Sequence, residues 1–300
     1  MNSEKSTGSS FHFSRFTSHF LVLLHPNAVM MLQKTFGIYN DNLDDCRLFV
    51  EAGNRHIAFW CKDDKGIAKA FEFFQFDADD DGMGNVLQEV KMQSKLMGLP
   101  ITIENLVWDN EEAICIPVKF YKEGLAADYL AMMLGESDRQ GVQAQPLDRY
   151  VILSRQAGYA DLFKKTFAAK SFSHKFFKLL QKYTGHTGYE NDNRVYAVFY
   201  PAHFILTVVK DNALQMIRSI DYSTSEDALY SIIHICNEHD MHLNTTDITA
   251  SGLIDTTSNL YNTLYSYLEK FALQKSNPAV FDADGFAEYP AHYFLPFIQE

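Results

Sequence analysis

Cysteine is scarce and scattered. The 300 residues hold four, Cys46, Cys61, Cys115 and Cys236, with no C-x-x-C pair. That excludes a disulfide framework and favours a reducing compartment, so the expected location is cytoplasmic. Positive charge is also short: 26 Lys and Arg stand against 38 Asp and Glu, a net charge of −12. Without clustered cations a surface does not grip a phosphate backbone, so nucleic acid is not an expected partner. Nor is there an electrostatic pull toward an anionic membrane. No apolar run is long enough to span a bilayer. The most apolar, Phe20 to Leu32 (FLVLLHPNAVMML), is broken by His25, Pro26 and Asn27, whereas a spanning helix needs about 20 apolar residues. No small-residue cleavage motif follows it, and the opening MNSEKSTGSS lacks the basic start of a secretory signal.

What is present is the material of a core. Apolar residues make up 47% of the chain and charged residues 21%, the balance of a globular protein. The length admits two domains. Residues 1–36 read as an N-terminal extension, with residues 1 to about 29 outside the fold and Met30 or Met31 as a candidate start, because regular strand patterning begins only near Cys46. From there, Arg47–Val50, His56–Lys62 and Ile67–Phe76 read as a meander with turn residues Asp63, Asp64 and Gly66. Val86–Met97 has loosely helical spacing, Ile101–Trp108 and Ala113–Phe120 are strands, Leu125–Leu134 is helical and Tyr150–Leu153 is a short strand.

The plan then restarts. A helix is expected over Ser173–Tyr183, and a second meander over Val195–Tyr200, Phe204–Lys210 and Leu214–Ile220, with Asp211-Asn212 as its tight turn. A helix from about Ser225 to Glu238 follows, opened by the capping run Ser223-Thr224-Ser225-Glu226-Asp227. Asp247–Ala250 is a short strand, and Thr256–Phe271 reads as a long amphipathic helix with Leu260, Leu264, Tyr265, Tyr267 and Leu268 inward. Two strand triplets, each followed by helices, argue for an α/β protein with mixed sheets and a duplicated unit of roughly 130 residues.

The stretches VYAVFYPAHFILTVVKDNALQMIRSIDYSTSEDALYSII and DITASGLIDTTSNLYNTLYSYLEKF carry a resemblance. They are similar to a family of uncharacterised bacterial proteins, domain-of-unknown-function family 3822, over roughly Gly37 to Phe297 and most strongly over Val195 to Phe271. The resemblance implies an actin-like ATPase fold, with a first ribonuclease-H-like lobe over 37–150 and a second over 151–300. It also implies similarity to a pilus-assembly ATPase and to cytoplasmic domains of secretion-system proteins.

In active proteins of that fold, the hairpin after the first strand of each lobe carries Asp-x-Gly followed by Ser or Thr. Glycine lets amides reach phosphate, and the aspartates serve magnesium and the attacking water. Here the first hairpin offers Glu51-Ala52-Gly53-Asn54. The second offers Tyr200-Pro201-Ala202-His203, with no Asp, no Gly, and a proline that has no amide to donate. The adenosine-side loop, usually a glycine pair, is Ser251-Gly252-Leu253. The expected function is therefore a non-catalytic scaffold that binds an unidentified protein partner, with no cofactor. The second reading is a divergent ATP-binding protein or ATPase, with Glu51, Gly53, Asn54 and Gly252 at a degenerate ATP and magnesium cleft.

Other constellations compete with plainer readings. Asp77–Gln88 (DADDDGMGNVLQ) matches a calcium-loop pattern at Asp77, Asp79, Asp81 and Gly82, but Gln88 stands where the bidentate Glu belongs. Calcium is the candidate ligand, and a solvated acidic turn is the alternative. His234, Cys236, His239 and His242 sit close together without a second ligand pair for zinc, so Cys236 is expected in the core. The apolar tail His292–Phe297 is a candidate docking segment, or one that folds back on its own domain.

Overall fold

The computed structural model describes residues 32–43, 45–78, 81–137, 141–156, 158–184 and 193–298. Met30, Met31 and Asp79 lie outside them. The first strand, β1 (Gln33–Tyr39), is followed by β2 (Arg47–Gly53), β3 (His56–Lys62) and β4 (Ala68–Gln75). Helix α1 (Met83–Gln93) leads to β5 (Ile103–Asp109). An insertion then supplies β6 (Ala113–Pro117), α2 (Ala126–Leu134), β7 (Val142–Leu147), β8 (Tyr150–Arg155) and α3 (Ala160–Phe167). Strand β9 (Ser171–His174) and helix α4 (Lys175–Thr184) lead to the second sheet. That half contains β10 (Arg194–Phe199), β11 (His203–Lys210), β12 (Ala213–Asp221), α5 (Ser225–Glu238), β13 (Asp247–Gly252), α6 (Asn259–Tyr267) and β14 (Phe271–Leu273).

Two sheets share a strand order, apart from one added edge strand. The first has the order β1-β4-β3-β2-β5-β9 and the second β12-β11-β10-β13-β14. In each, an antiparallel meander is joined by two strands parallel to its first member. Strand β1 is the addition, antiparallel to β4, and its Phe36 is buried. The extension expected to reach residue 36 therefore stops short of Gln33. The expected lobe boundary at 150/151 also cuts across the pairing, since β9 closes the first sheet and β8 belongs to the inserted sheet β6-β8-β7.

Helices cover both faces of each sheet. On the first sheet's outer face α1 and α3 bury Val86, Leu87, Val90, Phe163 and Phe167. On the second, α5 and α6 bury Leu229, Ile232, Cys236 and Leu264. Between the sheets lies a shared core of Trp60, Phe71, Phe73, Val198, Ile205, α4 and the returning segment Phe286–Ile298. Strands buried on both faces have no polar side to alternate with, which is why β3 (HIAFWCK) and β10 (RVYAVF) are buried at every position.

Local chemistry sets the ends of these elements. Asp211 and Asn212 both have positive φ, 52° and 58°, the two-residue turn whose twist suits a hairpin. Thr224 and Asp227 cap α5 reciprocally: the Asp227 amide donates to the Thr224 hydroxyl at 3.1 Å, and the Thr224 amide to the Asp227 carboxylate at 2.9 Å. Ser258 caps α6, which ends at Tyr267, so the expected long helix over Thr256–Phe271 is shorter and is followed by β14. Its inward residues are Leu264 and Leu268, while Tyr265 and Tyr267 are exposed. The helix expected from Ser173 begins at Lys175, because Ser173 and His174 are the end of β9.

The tail His292–Phe297 folds back. Phe297 packs against Phe71, Trp60, Phe73 and Tyr200 at ring separations of 5.2–6.0 Å. Replacing such a buried ring by alanine costs about 3–5 kcal/mol. Urea unfolding of Phe297→Ala should show a loss of that order, whereas Tyr265→Ala on the exposed face of α6 should stay within about 0.5 kcal/mol of the parent.

Candidate functional site between the lobes

Glu51 lies within β2, His56 opens β3 and Asp109 ends β5, and all three are buried. A buried charge must find a partner or lose its charge. The β2–β3 hairpin of the first lobe faces the β10–β11 hairpin of the second, and the partners come from both. Lys175, the first residue of α4, is fully buried and donates to Glu51 Oε2 at 2.6 Å. The same ammonium donates to the Pro296 carbonyl at 2.7 Å and lies 5.1 Å from the Phe297 ring centre. Tyr200 donates its hydroxyl to Glu51 Oε1 at 2.7 Å, and His56 Nε2 lies 3.0 Å from the same oxygen. His203 Nε2 is 2.9 Å from Asp109 Oδ2.

Aromatic stacking fixes the arrangement. The His56 ring stacks on Phe73 at 5.3 Å and on Tyr200 at 4.7 Å, and Tyr200 stacks on His203 at 4.6 Å. Four rings, two from each lobe, thus form a column through the interface. Burial alone would raise the Glu51 carboxyl, but the Lys175 ammonium and the His56 contact hold it below its ordinary range. Burial likewise opposes charge on Asp109, and His203 overrides it and pulls the carboxyl far down. The reciprocal effect raises His203 against its own burial. Fully buried His174, by contrast, is pushed down to about 4 by desolvation. Its Nδ1 accepts from the Phe176 amide at 3.1 Å, which fixes the start of α4.

The sequence-predicted nucleotide residues occupy this region, and the protein's own side chains engage them. A Cβ on Gly53 would meet the His56 ring at 2.3 Å. Its missing side chain makes room for an imidazole. Asn54 is held by Glu111 and by the Tyr159 hydroxyl. Gly252 has φ +83°, and a Cβ there would lie 2.3 Å from the Phe199 carbonyl oxygen, so this position needs glycine for backbone reasons alone. The Tyr200 amide donates to the His203 carbonyl at 2.9 Å and is spent in closing its hairpin. The remaining space at the hairpin mouths is a cavity of about 80 Å³, lined by Asn54, Asp109, Glu111, Ala202, His203 and Asp221 among others.

Two larger hollows flank this mouth. One of 560 Å³ adjoins the Gly252 loop and the starts of α5 and α6, lined by Tyr222, Thr224, Glu226, Leu253, Asp255 and Asn259 among others. The second, of 740 Å³, separates β6 and α2 from β12. Asp77 and Asp81 of the calcium-loop pattern are exposed, and Gly82 is the αR residue before α1. Cys236 is buried, as expected, and burial pushes its thiol up to about 11. Of these groups, Lys175, His56 and Asp109 were missed by the sequence reading. The signal for them was a titratable residue at the end of a strand or at the first position of a helix.

Removing one partner of a buried ion pair leaves the other uncompensated. Lys175→Met should therefore destabilise by about 3–5 kcal/mol, and Glu51→Gln combined with Lys175→Met by much less than the sum of the single changes. Chemical denaturation of the four proteins of that cycle reads the coupling directly. Gly252→Ala should cost at least about 2 kcal/mol, from its left-handed φ and the Phe199 contact.

Comparison with known proteins places this geometry. A crystal structure from Bacteroides thetaiotaomicron VPI-5482, a protein with actin-like ATPase fold and unknown function, is similar at 14% identity and a TM-score of 0.64, covering 79% of this chain and 93% of that one. A PilM-PilN type IV pilus biogenesis complex is similar at 12% identity and a TM-score of 0.51, covering 83% and 95%. No curated protein matches the sequence. The fold is thus the actin-like ATPase fold, mixed α/β. The family profile for "Protein of unknown function (DUF3822)" matches residues 35–271, and the chain belongs to that family.

Proposed function

We propose that this protein is a non-catalytic relative of actin-like ATPases that works in the cytoplasm by binding a protein partner. The observation that carries the reading is the content of the phosphate mouth. Glu51 is tied to Lys175, His56 and Tyr200, and the room beside Gly53 holds the His56 ring. A nucleotide needs a pocket of roughly 300 Å³ or more, and 80 Å³ is left there. Phosphate chemistry also wants free amides, and this hairpin offers Pro201 and an amide already bonded.

Support for a partner comes from the surface. The insertion exposes Val118, Phe120, Leu125, Met132, Met133 and Leu134. Helix α2 buries Leu130 alone among its described residues. Exposed apolar area of this kind marks interaction sites. Strands β6 and β12 are each paired on one side only, and they face each other across the 740 Å³ groove. A structural relative within a pilus biogenesis complex fits an assembly role.

The second reading keeps a nucleoside without its phosphate chemistry, because the hollow beside Gly252 on the adenosine side has a volume of 560 Å³. Thermal shift and calorimetry with Mg-ATP, ATP and adenosine separate the cases. The scaffold reading expects no shift and no phosphate release. A ligand at a hundred times its dissociation constant stabilises by about 2.7 kcal/mol, so real binding is visible. Equal shifts with adenosine and ATP would favour the nucleoside reading, and turnover of ATP would overturn the non-catalytic one.

A further inference from the structure

The atoms that lock the two hairpins together also have the composition of a metal site. Glu51, His56 and Asp109 each offer a ligand atom within 4.8 Å of the other two, and His203 joins this group through its contact with Asp109. His56 Nε2 is 3.0 Å from Glu51 Oε1 and 4.0 Å from Asp109 Oδ2, and His203 Nε2 is 2.9 Å from Asp109 Oδ2. Ligands at about 2.0–2.2 Å around a tetrahedral ion stand roughly 3.4 Å apart, and these separations bracket that value. Two imidazoles and two carboxylates form a donor set suited to a divalent transition ion.

Two further observations point to an ion. Asp109 Oδ1 is buried and has no hydrogen-bond partner, although its carboxylate is almost fully enclosed. A route in is also present. The cavity at the hairpin mouths is lined by Asp109 and His203, with Glu111 and Asp221 as additional carboxylates. His203 is the one member of the four with appreciable side-chain exposure, 15%. The Lys175 ammonium sits on the opposite Glu51 oxygen, Oε2, while Oε1 faces His56 and accepts from the Tyr200 hydroxyl, which must turn away from an ion bound there.

We propose that Glu51, His56, Asp109 and His203 form a divalent transition-metal site that bridges the two lobes. An entering ion takes the place of the protons shared in the His56–Glu51 and His203–Asp109 contacts, and those protons leave to solvent. Because His203 comes from the second lobe and the other three ligands from the first, a bound ion clamps the lobes together. The proposal is independent of whether a protein partner exists, and it needs no nucleotide.

The test uses the full chain purified without chelator. Its zinc, manganese and cobalt content is measured, and the protein is then stripped with EDTA and titrated with Co²⁺ and Zn²⁺. The expected result is one equivalent bound, intense visible Co²⁺ absorption displaced by Zn²⁺, and a melting temperature that falls on stripping and returns on reloading. His203→Ala and the isosteric Asp109→Asn should each weaken binding at least tenfold. X-ray absorption of the cobalt-loaded parent protein covers the case in which a variant fails to fold: two imidazole nitrogens are expected, and an all-oxygen shell would sink the proposal. A folded parent that takes up no ion, or a His203→Ala variant that binds as tightly as the parent, would also overturn it.

Discussion

Everything between the two lobes depends on one buried ion pair. Glu51 and Lys175 are both fully enclosed and 2.6 Å apart. Neither is tolerable alone in such a place. Their joint presence dictates the neighbours: His56 and Tyr200 satisfy the remaining carboxylate capacity, and the Pro296 carbonyl satisfies the ammonium. The pair therefore fixes the position of α4, the hairpin of each lobe and the returning tail at once. In an enzyme of this fold the same volume would have to stay open and hydrated to admit phosphate and magnesium. Here it is filled with side chains that form a rigid joint.

Closing the cleft moves the places where something else can bind. Two hollows lie beside it, the cavity at the α5 and α6 starts and the groove between two sheet edges, β6 and β12. All eight residues from Leu214 to Asp221 line that groove. Consecutive residues of a strand alternate between its faces, so continuous lining means that the strand presents its backbone edge. Unpaired edges of this sort are where extended segments add. Little space is left between the two hairpins, and an open edge lies where the inserted sheet approaches the second lobe.

Much of the fold was legible because its signals are local. Asp211-Asn212 demanded a tight turn, Thr224 and Asp227 announced α5, and the apolar runs at His56–Lys62 and Val195–Tyr200 marked strands. What was missed depended on distant pairing. The stretch Ser173–Tyr183 reads as one helix until β5 offers its edge to Ser171–His174. Strand β1 was invisible because its sequence, QKTFGIY, is half polar and its burial comes from β4. The site divided in the same way. Glu51 and Gly53 drew notice through the family resemblance, but their neighbours, Lys175 and the His56 ring, are revealed only when α4 docks and the hairpin turns back. Residue type identified the location, and tertiary neighbours decided the chemistry.

The returning tail has a consequence for how the molecule is made. Phe294 and Phe297 complete a cluster with Phe36, Phe71 and Trp60, so contacts in the first lobe span more than 200 positions of the chain. Such separations slow folding, since the loop they close must be ordered before the contact rewards it. During synthesis the first sheet emerges early, and its inner face has to wait until residues 286–298 have been made. Until then Trp60, Phe71 and Phe73 are an open apolar surface. The first lobe therefore reaches its finished packing only after the second has been translated.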